Sequence, residues 1–423
     1  MEVFKFGGAS VKDANGVKNV AKIIGLHADK SLVIVVSAMG KITNALEQLT
    51  DAYIANAGNT IEVFEAIKEY HHQILIELFD DENHSIFDEI ANTFIEIDWM
   101  LEDEPHPDYD FNYDQIVSIG ELLSSKILSA YLTTCGLSNT WLDARGCVQT
   151  DNTYREGKVD WLKTREAIQK SIPLAGDVNS THRFVTQGFI GGTSENFTTT
   201  LGREGSDYTA AIFASCLDCP SVTIWKDVPG VLNADPKWFE ETEKIDQLSY
   251  HDAIELTYYG ATVIHPKTIK PLQNKDIKLF VRSFINPEEP GTVISNLENH
   301  LPVASFIFKM NQVLISIFPK DFSFIVEENL SQIFQLFHHY RIKINTMQNS
   351  AISFSVCVDQ NGKKIQALIA DLKQQYRVKY NDNLEMVTIR WYNQSTIDRV
   401  IENKQILLEV KSRHTCQIVM KGL

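Results

Sequence analysis

Three glycine-rich turns and one lysine carry most of the chemical information in this chain. The turns are Gly7-Gly8-Ala9-Ser10, Gly191-Gly192-Thr193-Ser194 and Gly202-Arg203-Glu204-Gly205-Ser206-Asp207. Glycines let backbone N–H groups approach an anion, and a helix starting there adds the positive end of its dipole. Taken singly, each turn is also what an ordinary tight turn looks like. Lys5 sharpens the reading, because it stands in a short apolar strand two residues before Gly7-Gly8. That is the carboxyl end of a strand, where α/β sheets bind ligands. A lysine inside such a strand is costly unless paired or in use; an edge strand with a snorkelling side chain is the functionless explanation. There is no G-x-x-x-x-G-K-[ST] loop, no G-x-G-x-x-G after a strand, and no H-R-D or D-F-G set.

These residues need elements to position them. Up to about residue 290, short apolar strands alternate with helical stretches, the signature of an α/β domain. Residues 2–6 read as a strand, and Ser10 with Asp13 as a capping box for the helix carrying Val17, Val20, Ile23 and Ile24. Residues 32–37 are continuously apolar, as in a parallel sheet covered on both faces. Over about 58–104 the spacing of Phe64, Ile67, Ile74, Leu75 and Leu78 predicts a helical insertion, closed by an acidic loop over 102–110. Strand signals return at 140–142, 184–190, 222–225 and 279–282, and residues 286–291 read as a linker. Beyond it the rhythm changes. Strands at 303–308 and 313–318, a helix near 330–340, strands at 342–347 and 352–358, and a helix at 364–372 follow in order. A strand ending at Trp391, a short helix at 397–403 and strands at 406–410 and 416–420 complete an α+β region. It reads as two βα sandwiches, one interleaved into the other.

Composition narrows the class. The 423 residues suggest roughly three domains at about 150 residues each. With 44% hydrophobic and 22% charged residues the chain is a folded protein. A net charge of −16 argues against nucleic acid and anionic membrane as partners, since both demand a basic surface. No secretory h-region is present, and the longest strongly apolar run, 32–36, cannot span a bilayer. Six scattered cysteines fit reduced thiols and a cytoplasmic location. The lone Cys216-Leu-Asp-Cys219 reads as a helix end in the core, and His71-His72 and His338-His339 as surface residues rather than metal ligands.

Five ordered blocks then bring the sequence to a known family. Lys5-Phe-Gly-Gly-Ala-Ser-Val11 resembles the K-F-G-G-[TS]-S-V opening of the aspartate kinases, in the amino-acid kinase superfamily. Val36-Ser-Ala-Met-Gly-Lys-Ile-Thr-Asn44 is similar to their second-strand loop, Ser118-Ile-Gly-Glu121 to an S-x-G-E block, and Leu201-Gly-Arg-Glu-Gly-Ser-Asp-Tyr208 to L-G-R-x-G-S-D. Lys226-Asp-Val-Pro-Gly230 with Ala234-Asp-Pro236 resembles the nucleotide strip, and Tyr259-Gly-Ala-Thr-Val-Ile-His-Pro266 follows it. The resemblance covers the first 290 residues, and the C-terminal pattern is similar to tandem ACT modules.

The resemblance implies a three-layer α/β sandwich with a mostly parallel sheet over 1–290, with the helical insertion inside it. A tandem ACT-like regulatory region is implied over 297–423, with 312–384 inserted into 300–311 plus 385–423. The implied reaction moves the γ-phosphoryl of ATP to the β-carboxylate of L-aspartate, giving 4-phospho-L-aspartate, the first step towards lysine, threonine and methionine. A carboxylate with a pKa near ~3.9 is already ionised at neutral pH, so no general base is required. Aligning two anions and screening their charge is electrostatic work, with Mg²⁺ arriving on ATP and no protein side chain ligating it. By the family match Lys5 and Asp207 are catalytic. Ser37, Thr43, Glu121, Arg203 and Ser206 hold aspartate, with Glu121 on the ammonium and the Arg203 fork on a carboxylate. Lys5, Gly7, Gly8, Lys226, Asp227, Leu232, Asp235 and Lys237 hold the nucleotide. Without the family, Asp207 could equally be a capping carboxylate, while a solvated first-turn glutamate is the functionless explanation for Glu121.

Departures from the pattern are informative. Lys226 stands where the family has threonine, and Thr262 where it has lysine, so Lys226 is expected to take over the phosphate contact. Ala9 replaces a hydroxyl residue, and Leu232 an aromatic one. Asn345, Gln348 and Ser350 occupy the effector stretch of the ACT pair, and Lys343 there would repel a cation, favouring threonine over lysine. A homodimer through the ACT region is implied. The last module reads one helix short, so weakened feedback is expected, and no fused homoserine dehydrogenase is expected without a dinucleotide fingerprint. Another carboxylate kinase of the superfamily, or a non-catalytic nucleotide and amino-acid sensor on the same fold, are the alternatives.

Overall fold

Five consecutive aliphatic side chains, Leu32–Val36, are buried at every position, as a strand covered on both faces must be. The computed structural model describes residues 1–173, 181–239, 241–261, 264–297, 303–321 and 323–422. It forms two compact units. One holds Met1–Val231, Asp246–Ile254 and residues 264–297; the other holds Leu232–Ile245, residues 255–261 and residues 303–422.

In chain order the elements up to residue 297 begin with β1 (Glu2–Phe6), α1 (Ala14–Gly25), β2 (Leu32–Val36) and α2 (Ile42–Ile54). Then come α3 (Thr60–Leu78), α4 (Ile86–Glu102), α5 (Tyr109–Val117), α6 (Ile119–Thr134), β3 (Thr140–Leu142), α7 (Ala144–Cys147) and α8 (Trp161–Ser171). The series continues with β4 (Arg183–Gln187), β5 (Ile190–Gly192), β6 (Thr198–Thr200), α9 (Gly205–Cys216) and β7 (Ser221–Lys226). It closes with β8 (Gln247–Ser249), α10 (Tyr250–Tyr259), α11 (Pro266–Gln273), β9 (Lys278–Ser283) and β10 (Thr292–Ser295). Eight strands make one sheet in the order β3-β4-β2-β1-β7-β9-β10-β8, parallel throughout except between β9 and β10. Phe4, Phe6, Ile34 and Val36 share a core with α1, α3, α4 and α6, while α9 packs on β1, β2 and β7. The result is helix, sheet, helix, the layered α/β architecture expected.

Local detail corrects three readings. Ser10 does not cap α1: it lies in a 3₁₀ turn over Gly8–Val11, and extended Asp13 caps the helix instead, accepting from the Gly16 N–H at 2.8 Å. The strand read over 184–190 stops at Gln187, because Phe189 adopts a left-handed φ of 69° before β5 begins. His71 is not a surface residue. It is fully buried, its Nδ1 bonds the Ile67 carbonyl at 2.8 Å, and burial pushes its pKa down to about 4. The stretch Tyr109–Thr134 is long and apolar enough to cross a membrane, yet it divides into α5 and α6 at Ser118 and most of it is buried inside the unit.

In the second unit the elements are β11 (Ser305–Pro319), α12 (Glu327–His339), β12 (Ile344–Ser350), β13 (Ser353–Asp359), α13 (Gly362–Gln375), β14 (Tyr376–Arg390), α14 (Gln394–Ile401), β15 (Lys404–Lys411) and β16 (Thr415–Gly422). They form one antiparallel sheet, β12-β13-β11-β14-β16-β15. The two strands expected at 303–308 and 313–318 are one continuous strand. Asn311, at φ 53°, absorbs the mismatch as a bulge where the pairing to β14 shifts between Lys309 and Gln312. One half of the sheet packs α12 and α13 through Ile333, Phe337, Leu368 and Leu372; the other packs α14 through Ile397 and Val400.

Candidate active site

β1 is an interior strand: Lys5 pairs with Val35 of β2 on one side and Ile224 of β7 on the other. A snorkelling edge lysine is therefore excluded. The residue is 9% exposed, and its ammonium meets the Asp207 carboxylate at 2.7 Å. Asp207 is the third residue of α9 and is itself buried. Burial would push its carboxyl up, but the Lys5 ammonium, with Lys226 beyond it, holds it below the ordinary carboxylate range. A buried lysine paired this closely is a fixed positive charge at the carboxyl end of the sheet.

Two glycines make room around it. A Cβ on Gly7 would meet the Lys5 ammonium at 3.3 Å, and one on Gly8 would stand 2.7 Å from the Ala38 carbonyl oxygen. The next loop can therefore close directly over the first, with the Gly40 N–H donating to the Gly8 carbonyl at 3.0 Å. Gly120 does the same for α6, since a Cβ there would come within 2.9 Å of the Ala38 Cβ. That close approach carries Glu121 into the interior, where Oε1 accepts from the Ala38 N–H at 3.1 Å. Oε2 has no hydrogen-bond partner among the described residues. Burial pushes the Glu121 carboxyl up to about 8, although the Ala38 N–H and Lys5 pull the other way. It is far from a solvated first-turn glutamate.

A cavity of about 720 Å³ opens here, lined by Lys5, Glu121, Asp207, Lys226, Ser37 and Thr43, with Arg203 from the loop before α9 and Ser206 from its first turn. Arg203 is exposed on a loop whose neighbours Gly202 and Glu204 both take left-handed φ, 74° and 53°. The Glu204 carboxylate accepts from the His265 N–H at 2.9 Å, which pins that loop to the start of α11. Ser206 fits because position 188 is glycine; a Cβ there would fall 2.4 Å from the Ser206 Cβ.

All seven expected catalytic and aspartate residues thus line one cavity, as does Lys226. Gly7 and Gly8 adjoin it through the contacts above. Asp227 is exposed and outside the lining. Leu232, Asp235 and Lys237 belong to the second unit, where Asp235 accepts from the Lys237 N–H at 2.9 Å, a turn of its own. Thr262 lies outside the described residues. Sequence reasoning missed Glu47, Tyr113, Arg155, Phe189 and Thr200, which also line the cavity. Glu47 is one helical turn beyond Thr43 and Phe189 follows the Gln187-Gly188 pair, so both had a local signal; Arg155 had none.

In the second unit the three effector candidates do not converge. Asn345 accepts from the Lys309 ammonium at 2.7 Å and donates to Gln312 at 2.8 Å and Asp359 at 3.0 Å. It lines a recess of about 440 Å³ with Tyr258, Tyr259, Met347 and Gln417. Gln348 and Ser350 are exposed outside that recess, and the Ser350 hydroxyl pairs with Ser353 at 2.7 Å. Cys216 and Cys219 are buried and unbridged. Among the described residues no group of three or more His, Cys, Asp or Glu is placed to hold a metal ion.

The amino acid kinase family profile matches residues 1–283, and lysine-sensitive aspartokinase 3 of Escherichia coli K12 is 30% identical over 395 residues, 92% of this chain and 86% of that one. The chain belongs to the aspartokinases of the amino acid kinase family. That is the family its ordered blocks resemble. Bifunctional aspartokinase/homoserine dehydrogenase 1 of Arabidopsis thaliana is 29% identical over 89% of this chain, which spans 42% of that relative's length. Among solved aspartokinases, E. coli aspartokinase III with lysine and aspartate (T-state) superposes with a TM-score of 0.84 at 27% identity, covering 100% of this chain and 96% of that one. The same protein with aspartate and ADP (R-state) gives 0.79 over the same coverage.

Proposed function

We propose that the first unit transfers the γ-phosphoryl of ATP to the β-carboxylate of L-aspartate, releasing ADP and 4-phospho-L-aspartate. The observation that carries this is the meeting of a buried Lys5–Asp207 pair, a buried Glu121 with one unpartnered oxygen, and Arg203 around one cavity. Support comes from the E. coli relative, whose solved structure holds aspartate and ADP. Each residue then has a physical task. Lys5, oriented by Asp207, screens the transferring phosphoryl, and the backbone of Gly7 and Gly8 supplies donors beside it. Lys226 adds a second cation where the family's lysine, at 262 here, is threonine. Glu121 receives the substrate ammonium on its unpartnered oxygen, Arg203 forks onto the α-carboxylate, and Ser37, Thr43 and Ser206 line the remainder. Mg²⁺ enters bound to ATP and neutralises phosphate charge. No base is required, because the attacking carboxylate is ionised. Asp227, Leu232, Asp235 and Lys237 remain the proposed nucleotide strip.

We also propose that the second unit binds an amino-acid effector and carries the contact to a second copy of the chain. The E. coli relative is named for lysine sensitivity; exposed Lys343 in the corresponding stretch here favours threonine over a cationic effector. The test is ADP release by purified chain with MgATP, with and without L-aspartate, then with lysine or threonine added. Aspartate-dependent turnover is expected. MgATP binding without turnover would replace the kinase with a sensor.

A further inference from the structure

Arg155 lines the same cavity as Lys5, Glu121 and Arg203, although nothing in its sequence neighbourhood marks it. Its backbone takes a φ of 63°, a conformation that a residue with a side chain keeps only when its surroundings hold it there. What holds it is Asp114, which is fully buried at the inner face of α5. One oxygen of that carboxylate accepts from the Arg155 N–H and from the Thr200 N–H, each at 2.9 Å. The other oxygen accepts from the Thr200 hydroxyl at 2.7 Å. Thr200 leads directly into Leu201-Gly202-Arg203, and a Cβ on Gly202 would stand 3.2 Å from the Arg155 carbonyl oxygen. The two arginines therefore rise from abutting loops, fastened by one buried carboxylate.

The Arg155 guanidinium lies 4.2 Å from the centre of the Tyr113 ring, which fixes its plane at the cavity wall. Its charged partners are looser. Glu47 stands 3.7 Å away and Asp110 3.5 Å away, both beyond a close hydrogen bond, with all three side chains 40% or more exposed. Such a cation is anchored by stacking but not saturated by its carboxylates. The Lys5 and Lys226 end of the cavity is taken by phosphoryl chemistry, leaving the arginine end for the carboxylate that does not react. An ionised carboxylate offers about four lone-pair sites, enough for two guanidinium forks.

We infer that Arg155 is a second guanidinium for the substrate's α-carboxylate, exchanging Glu47 for the bound amino acid beside Arg203. Arg155 is thus a specificity-determining residue, and Asp114 a positioning residue acting through its backbone. This rests on the aspartate kinase reading. Without it, the parent chain shows no aspartate-dependent ADP release, a failure visible before any variant is made.

The test uses full-length chain and initial rates of ADP release. Arg155→Gly removes the side chain while suiting the left-handed backbone, where alanine would not. The KM for L-aspartate should rise ten-fold or more, with the KM for MgATP within two-fold. L-aspartate α-methyl ester, measured as a competitive inhibitor, should keep its Ki within two-fold, since it has no α-carboxylate to lose. Arg155→Lys should fall between. A KM for aspartate within two-fold of the parent overturns the inference. So does an equal rise in KM and in the ester's Ki, which would leave Arg155 a structural loop residue. Glu47→Gln gives an independent reading: the KM for aspartate should fall two- to three-fold, and an unchanged value would overturn the exchange.

Discussion

Buried Glu121 favours its protonated form, and the proposed contact with a substrate ammonium group would require it to lose that proton. Burial pushes its carboxyl up to about 8, so at pH 7 it is neutral. If the ionised form receives aspartate, the KM for aspartate carries the factor one plus ten to the power of (8 − pH). That factor falls about five-fold from pH 7 to pH 8 and about fifty-fold from pH 6 to pH 8, at ~1.4 kcal/mol per unit. The assay is the KM for L-aspartate from ADP release at fixed saturating MgATP, between pH 6 and pH 8.5. Glu121→Gln copies the protonated form. Its KM should be raised about ten-fold or more at pH 8, in line with a lost charge-assisted contact, and its profile should be flat. The same buried carboxyl affects folding. An unfolded glutamate ionises near 4.5, while the folded one keeps its proton to about 8. The folded state therefore binds more protons between those values, and stability falls as pH rises through that window. Removing the cost with Glu121→Gln should stabilise the ligand-free chain at pH 7 by about 3 kcal/mol, read as a higher Tm. A parent KM constant within two-fold from pH 6 to pH 8, or a slope that survives in the glutamine variant, would show that Glu121 ionisation does not control aspartate binding.

Two further perturbations test the end of the cavity proposed to hold phosphate. Lys226→Ala should raise the KM for ATP about five-fold, the scale of a ~1 kcal/mol contact, and an unchanged value would show that Lys226 does not stand in for the cation missing at 262. Gly8→Ala places a methyl group 2.7 Å from the Ala38 carbonyl oxygen and 3.0 Å from that of Gly40, both backbone atoms that cannot swing aside. It should lower stability by ~1–3 kcal/mol and raise the KM for ATP, and a Tm within one degree of the parent would contradict the close packing of Gly8 against Ala38.

The parts legible in the sequence were those that depend on neighbours along the chain. The lysine before Gly7-Gly8, the alternation of strands and helices, and the placement of Asp207 three residues into a helix are all local patterns. The layered sheet follows from them, because five buried aliphatic residues in a row admit few other environments. The order of the motif blocks also brought the family into view without coordinates. What the chain's periodicity did not contain is which distant groups meet. Lys5 and Asp207 are two hundred residues apart, and their pairing depends on β1 and α9 packing together. His71 looks polar on its helix and is nonetheless buried, because the insertion lays its apolar face and its histidine against the same core. The break expected between two strands at 309–312 became a bulge, since long pairing with β14 outweighs one irregular residue. Asn345 looked available as an effector contact, but folding engages it with Lys309, Gln312 and Asp359. Arg155 is the extreme case: a charged residue in an unremarkable loop becomes part of the cavity through a single buried carboxylate from another helix. Sequence determined the elements and most of the chemistry they carry, because those follow from side-chain types at short spacing. Only the tertiary structure decided the environment of the buried carboxyls and the placement of Arg155 at the cavity, because burial and hydrogen bonding between remote segments set them.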